Sequence, residues 1–363
     1  MLSSLPNSFG NLANLQYLDL FGCQNLKRLP DSFKNLVLLE YLNLRKCGEL
    51  ILRSDDFQNI TKLEFLDLSR CNQLEELPRH ITNQVFLREF YLYGLLREIK
   101  IDQLSRLQKM VIGSELLISL PNSLGDSVSL KNLSLSDCYN LKSLPTSFKK
   151  LSSLTRLSIS GCHRLKSLPN SFGNLFFLAH LYIGYCDSLK SLPASLENLS
   201  SLTHLSITKC RKVKCLLFSV GCHNLLEHLV IFNCPISQVD FEAAPSSSTL
   251  SNLKQITLNG TEVCKISIPE DHYPLLKSLH LLYNAHLTEI ESLPVKLERL
   301  QIRYCLKLEK LPSFALLTSL REFKVEECGQ IRKIEGIESC TRMEILGLHT
   351  RWEVSNIESL KRM

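Results

Sequence analysis

Three histidines recur at one place in successive segments: His180, His204 and His228, spaced 24 residues apart. Imidazole ligates metals and titrates near neutrality. Three rings in register on adjacent strands, about 4.8 Å apart, have the reach to share a metal or sense pH. A closed metal site needs a further ligand, and no carboxylate in the neighbouring strand positions completes one. A solvated ladder, with no metal and no cofactor, is therefore the expectation. Cys210, Cys215, Cys222 and His223 are also of zinc-ligand type. Their spacing matches no pair-and-pair pattern, so zinc is not expected there either. No serine, histidine and acid arrangement is defensible from spacing, and no catalytic residue is assigned.

Cys23, Cys47, Cys71, Cys138, Cys162, Cys186, Cys210, Cys234, Cys305 and Cys328 share one equivalent position, which Thr261 and Asn284 take elsewhere. A free cysteine behaves as a small hydrophobe with a weak donor. Such a column reads as a buried stack of inert thiols. Aromatics gather in two places. Tyr17, Phe21, Tyr41 and Phe65 lie near the start, beside Arg45, Lys46 and Arg70, while Tyr182, Tyr185 and Phe232 flank the histidines. A wet sheet face has no packing need for such large rings. Exposed aromatics with arginine are common anchors of protein interfaces, so both groups are candidates for partner binding.

The elements that position these residues follow from a repeat. Segments of the form L-x-x-L-x-L begin at Leu15, Leu39, Leu63, Leu87, Leu107, Leu130, Leu154, Leu178, Leu202, Leu226, Leu253, Leu276, Leu297, Leu320 and, less perfectly, Met343. Regular self-similarity at this period marks a leucine-rich-repeat solenoid. In the unit LTRLSISGCHRLKSLPNSFGNLFF, Leu157 and Ile159 alternate with polar residues, as in a strand with one buried face. Leu165 and Leu168 continue inward. Pro169 stops any helix from running across them. Ser171 is placed to cap a short turn that carries Phe172 and Leu175 inward. The expected fold is an α/β solenoid, a horseshoe of about fifteen repeats. It has a concave parallel sheet and short helical, 3₁₀ or turn segments on the convex side.

Residues 1–363 are read as a single domain, with a partial first repeat at 1–14 and irregular joints near 87–129 and 235–252. The segment FEAAPSSSTLSN, 241–252, reads as a surface loop. The first unit lacks its strand, so a preceding domain or a truncated start is expected; at the other end, Trp352 and the tail SNIESLKRM are placed to shield the last layer. The balance of 42 basic and 36 acidic residues is too mixed for a nucleic-acid stripe. No apolar run reaches the roughly 20 residues of a membrane helix. The opening MLSSLPNSFG lacks the features of a signal peptide. A cytoplasmic, reducing setting with free thiols is expected, without nucleic-acid or membrane partners.

The pattern L-x-x-L-x-L-x-x-C-x-x-L-x-x-L-P-x-S-F-x-x-L, as in LKNLSLSDCYNLKSLPTSFKKLSS, resembles the repeat region of plant intracellular nucleotide-binding disease-resistance proteins. The likeness covers about residues 1–360. It implies recognition of pathogen proteins, signalling in plant defence, and a nucleotide-binding domain upstream. No Gly-x-x-x-x-Gly-Lys-Ser/Thr loop occurs in this chain, so no nucleotide switch is carried over. The expected function is non-catalytic recognition of a protein partner on the concave face. The alternative is a free-standing intracellular scaffold that assembles signalling proteins, although asparagine turns typify that group. An enzyme would need a non-repeat domain, and the repeats leave no room for one.

Overall fold

The computed structural model describes residues 2–81, 84–101, 104–216, 225–241, 252–268 and 273–349. The chain divides into two compact units, Met1–Leu178 and Ala179–Met363. Each is a leucine-rich-repeat solenoid built on a parallel sheet.

The first unit contributes β1 (Tyr17–Asp19), β2 (Tyr41–Asn43), β3 (Phe65–Asp67), β4 (Glu89–Gly94), β5 (Lys109–Ser114), β6 (Asn132–Ser136) and β7 (Arg156–Ser160). These pair in chain order without slippage: Tyr17 lies opposite Tyr41, Tyr41 opposite Phe65, and Phe65 opposite Glu89. The second unit contributes β8 (His180–Gly184), β9 (His204–Thr208), β10 (His228–Phe232) and β11 (Gln255–Asn259). After a short β12 (Lys265–Ser267) come β13 (Ser278–Leu282), β14 (Glu289–Ser292), β15 (Arg299–Arg303), β16 (Glu322–Glu326) and β17 (Ile345–His349). Each expected repeat start therefore yields a strand two residues later. In β7 Leu157 and Ile159 are buried while the residues between them face outward. That two-residue period turns each sequence column into a row across the sheet.

The cysteine column forms a buried ladder. Several thiols donate to a strand carbonyl of the preceding repeat: Cys47 to Leu20 and Cys71 to Leu44 at 3.2 Å, Cys234 to Ile207 and Cys305 to Leu281 at 3.6 Å. Burial pushes the Cys47 thiol up to about 11 and Cys71 to about 12. Cys23, in the first rung, is only half-buried.

The residue before this column is left-handed. Lys46, Arg70, Asp137, Tyr185, Lys209, Asn233, Tyr283, Tyr304 and Glu327 have φ between 48° and 62°, and Gly22, Gly161 and Gly260 share the conformation. This twist points the residue's N–H at the next repeat, as in Lys46 N to Ser69 O (2.8 Å) and Tyr185 N to Thr208 O (2.9 Å). The hydrogen bond extends the ladder past the strand end and offsets a conformation that L-residues otherwise avoid.

Opposite the sheet, Leu-Pro segments lead into 3₁₀ turns such as Asp31–Asn35, Thr146–Lys150 and Asn170–Asn174. Pro169 has φ −69° and ψ 148°; its carbonyl accepts from Phe172 N and so starts the turn that buries the Phe172 ring. Two expectations need correction. Ser171 does not cap its own turn, which has no side-chain cap; its hydroxyl reaches back to Thr146 O at 3.5 Å. The reason is geometric, since the ring-fixed proline already occupies the capping position. In addition, the outer side of the second unit carries a two-stranded parallel sheet, β12 with β14. There the Leu-Pro-x-Ser-Phe motif is replaced by KISIP and TEIES, whose β-branched Ile266 and Ile290 pair across the two strands.

The 241–252 segment lies largely outside the described residues. Phe241, its first residue, is buried edge-on against Tyr273, whose hydroxyl donates to the Phe241 carbonyl at 2.6 Å. That residue therefore belongs to the core and not to a loop. Trp352 and the tail after it also lie outside the described residues.

Candidate functional site

In the first unit the register of β1 to β3 stacks three rings on the open sheet face. Tyr17 and Tyr41 have centroids 4.1 Å apart and planes 10° apart; Tyr41 and Phe65 are 4.2 Å apart at 10°. Tyr91 of β4 continues the row, tilted, 5.4 Å from Phe65. The sequence reading missed Tyr91 because it sits two residues further along its strand than the other rings; Glu89 holds the equivalent position and accepts from the Tyr91 hydroxyl at 2.6 Å. Tyr17 is 59% exposed, so the stack is open at its outer end. Partial burial, with Tyr17 alongside, pushes the Tyr41 hydroxyl up to about 12.

The basic residues expected beside these rings lie at the strand ends. Asn43 Oδ1 accepts from Arg45 N at 3.0 Å and fixes that turn. Lys46 Nζ stands 5.2 Å over the exposed Phe21 ring, a cation–π contact. Lys46 and Arg70 occupy left-handed positions and line an open recess of about 870 Å³ at the edge of the sheet.

In the second unit His180, His204 and His228 stack, with centroids 4.4 and 4.6 Å apart. His204 Nδ1 lies 2.9 Å from the Thr203 hydroxyl. Glu227, next to His228, pairs with Lys254 at 2.7 Å, and that bond holds its carboxyl below the usual carboxylate range. The aromatic residues around the ladder separate into two settings. Tyr182 lies over Gly184 and accepts from the Thr208 hydroxyl at 2.9 Å. Tyr185 is the left-handed residue at the strand end, where Lys209 Nζ lies 4.9 Å from its ring centre and 6.0 Å from that of Phe232. Lys209 thus joins Tyr185 to Phe232. The sequence reading missed it, although it shares the pre-cysteine column with Lys46 and Arg70. A further pair at that edge, Tyr283 and Tyr304, stacks at 4.6 Å and 5°.

Among the described residues no group of three or more His, Cys, Asp or Glu side chains is placed to hold a metal. Cys210 lies buried in the thiol ladder and Cys215 is half-buried; Cys222 and His223 lie outside the described residues. All described cysteines are free thiols. Among the described residues, no helix is long and apolar enough to cross a membrane.

Residues 14–36, 62–84, 129–151 and 153–175 match the family model described as Leucine Rich Repeat. No curated protein sequence matches the chain. Among solved structures, an LRR protein of Leptospira interrogans is 22% identical, with 95% of this chain and 93% of that one covered and a TM-score of 0.61. The functional domain of InlJ from Listeria monocytogenes, which includes a cysteine ladder, is 18% identical over 90% of this chain and 66% of its own, with a TM-score of 0.54. The TLR13–ssRNA13 complex is 17% identical over 97% and 64%, with a TM-score of 0.52. These likenesses are of fold. The last is a complex with RNA, so the fold does not by itself exclude nucleic acid. That expectation rests on the charge balance of this chain alone.

Proposed function

We propose that the protein is a non-catalytic recognition module that binds a protein partner on its open sheet faces, acting in plant defence signalling inside the cell. The observation that carries this reading is the Tyr17–Tyr41–Phe65 stack. Three large rings are held parallel by strand register on the open sheet face, with Tyr17 exposed and Tyr41 and Phe65 half-buried beside it, outside the leucine core. Rings fixed in this way lose little entropy on binding, and flat apolar faces flanked by polar rims are common anchors of interfaces. In the second unit, Tyr182, Tyr185, Phe232 and the histidine ladder offer a second contact area of similar chemistry. The buried thiols accord with a reducing compartment. The cysteine-turn repeat pattern supports the plant-defence setting.

The test compares two variants, Tyr17→Ala/Tyr41→Ala/Phe65→Ala and Tyr182→Ala/Tyr185→Ala/Phe232→Ala, in affinity capture from plant extract. A partner retained by the parent protein and lost by either variant, with cooperative unfolding preserved, supports the reading. Retention of every partner by both variants defeats it. Sequencing the transcript upstream of Met1 tests the setting: a phosphate-loop motif there is expected, and an upstream stop codon in frame counts against it.

A further inference from the structure

The recess in the first unit has a definable cause. From strand start to the first core leucine beyond the turn, repeat three takes nine steps (Phe65 to Leu74) and repeat six takes nine (Asn132 to Leu141). Repeat four takes seven (Glu89 to Leu96) and repeat five takes eight (Lys109 to Leu117). The turns that project at the sheet edge are therefore cut short in two adjacent repeats, and a notch opens between their neighbours. Its floor is tied down. Ser114, buried, donates to Leu96 O at 2.6 Å, much as the thiols do elsewhere. Tyr93 lies across Gly113, where a Cβ would fall 2.2 Å from the ring, and donates to Asp137 Oδ2 at 2.6 Å.

The two walls differ in charge. The wall from repeats two and three presents Lys46 and Arg70 against one carboxylate, Glu49. The wall from repeats five and six presents Glu115 and Asp137 and no cation. The rest of the lining includes the side-chain amides of Gln24, Asn25, Asn72 and Gln73, each of which offers both a donor and an acceptor.

We infer that this recess binds a peptide segment of mixed charge, with an acidic side chain toward Lys46 and Arg70 and a basic one toward Glu115 and Asp137. The inference rests on the protein-recognition reading above but places a separate site at the sheet edge. A ligand of one sign gains at one wall and loses at the other, whereas a dipolar segment gains at both, which fixes its direction and register. The polar lining disfavours an apolar ligand, and the amides match the donors and acceptors of a peptide backbone.

A plugging variant provides the test. At Gly94, on the floor, a Cβ has no neighbour closer than 3.6 Å and the backbone is not left-handed, so Gly94→Trp is the variant chosen to fill the recess, with its melting temperature as the check on the fold. A phage-displayed random dodecapeptide library is selected on the full chain. Enriched peptides are expected to carry an acidic and a basic residue and to bind Gly94→Trp at least about tenfold more weakly at unchanged melting temperature. They are also expected to weaken as salt rises. Lys46→Glu/Arg70→Glu should lose the same peptides and bind versions whose acidic residue is replaced by lysine. Equal binding to the plugged protein, peptides of a single sign or without charge, or no enrichment over an unrelated protein would each overturn the inference. The Tyr17→Ala/Tyr41→Ala/Phe65→Ala variant should keep the selected peptides. The edge site and the open-face reading can therefore fail separately.

Discussion

Asn284 Oδ1 accepts from both the backbone N–H and the hydroxyl of Thr261, at 2.9 and 2.8 Å, while its Nδ2 donates to Leu258 O at 2.9 Å. Both residues are buried, and both stand where other repeats carry cysteine. One amide thus performs, with three hydrogen bonds, the bridging that single thiols perform elsewhere. Replacing Asn284 with alanine strands two donors and a carbonyl in the core. The expected loss is about 3 kcal/mol in urea unfolding, since buried groups left unpaired cost roughly 1–3 kcal/mol each. A loss below about 0.5 kcal/mol would show that water replaces the amide freely.

Leu157, in β7, is 2% exposed. Leu157→Ala should destabilise the protein by roughly 2–5 kcal/mol through the cavity it leaves. A cost typical of surface positions would mean that the repeat register is misassigned.

That register was the most legible part of the sequence, because leucine spacing reports burial directly: a strand two residues after each expected start needs only periodicity. Less legible was anything set by contacts between repeats. Ser171 has the chemistry of a cap, yet only the structure shows Pro169 in the capping position and the hydroxyl turned to Thr146. The β12–β14 pair depends on two outer segments meeting across repeats, which no single unit encodes. At the candidate surfaces, residue types located the rings. They did not separate the Tyr17–Tyr41–Phe65 stack from the left-handed edge that holds Lys46, Arg70 and Tyr185, since φ has no marker when the residue is not glycine.

Thiol accessibility should follow position in the ladder. Cys264 is exposed and Cys23 half-buried, whereas Cys47, Cys71, Cys162, Cys186 and Cys305 are fully shielded. Brief treatment of the native protein with a maleimide, read by peptide mass spectrometry, should modify Cys264 first and Cys23 next. The ladder cysteines should react only on unfolding. Rapid native labelling of Cys162 or Cys186 would contradict the buried stack.

Alkali should weaken the first unit. Burial holds the Cys47 thiol at about 11 and Cys71 at about 12 when folded, against about 8.5 for a free thiol. The folded state therefore favours the neutral forms. Their contribution is complete below about pH 8.5 and is lost as pH rises through 11 and 12. Melting temperature should fall between pH 8.5 and 11, and it should fall less steeply in Cys47→Ala/Cys71→Ala. An equal slope in parent and variant would assign the alkaline loss to other groups.

The left-handed column gives a prediction of opposite sign to most mutations. Glu327 has φ 49° and an exposed side chain, while its N–H donates to His349 O at 2.9 Å. Only the backbone conformation and that hydrogen bond are required of the position, and glycine supplies both without a Cβ clash. Holding an L-residue left-handed costs roughly 1–2 kcal/mol. Glycine recovers this, less the extra entropy it loses on folding, roughly 0.5–1 kcal/mol. Glu327→Gly should therefore leave stability unchanged or raise it by up to about 1.5 kcal/mol. Glu327→Val should lower it, because a β-branched side chain tolerates this conformation least. Chemical unfolding of the three proteins separates the cases. If valine proves as stable as glycine, the turn is not left-handed in solution and the row of hydrogen bonds past the strand ends is not formed there.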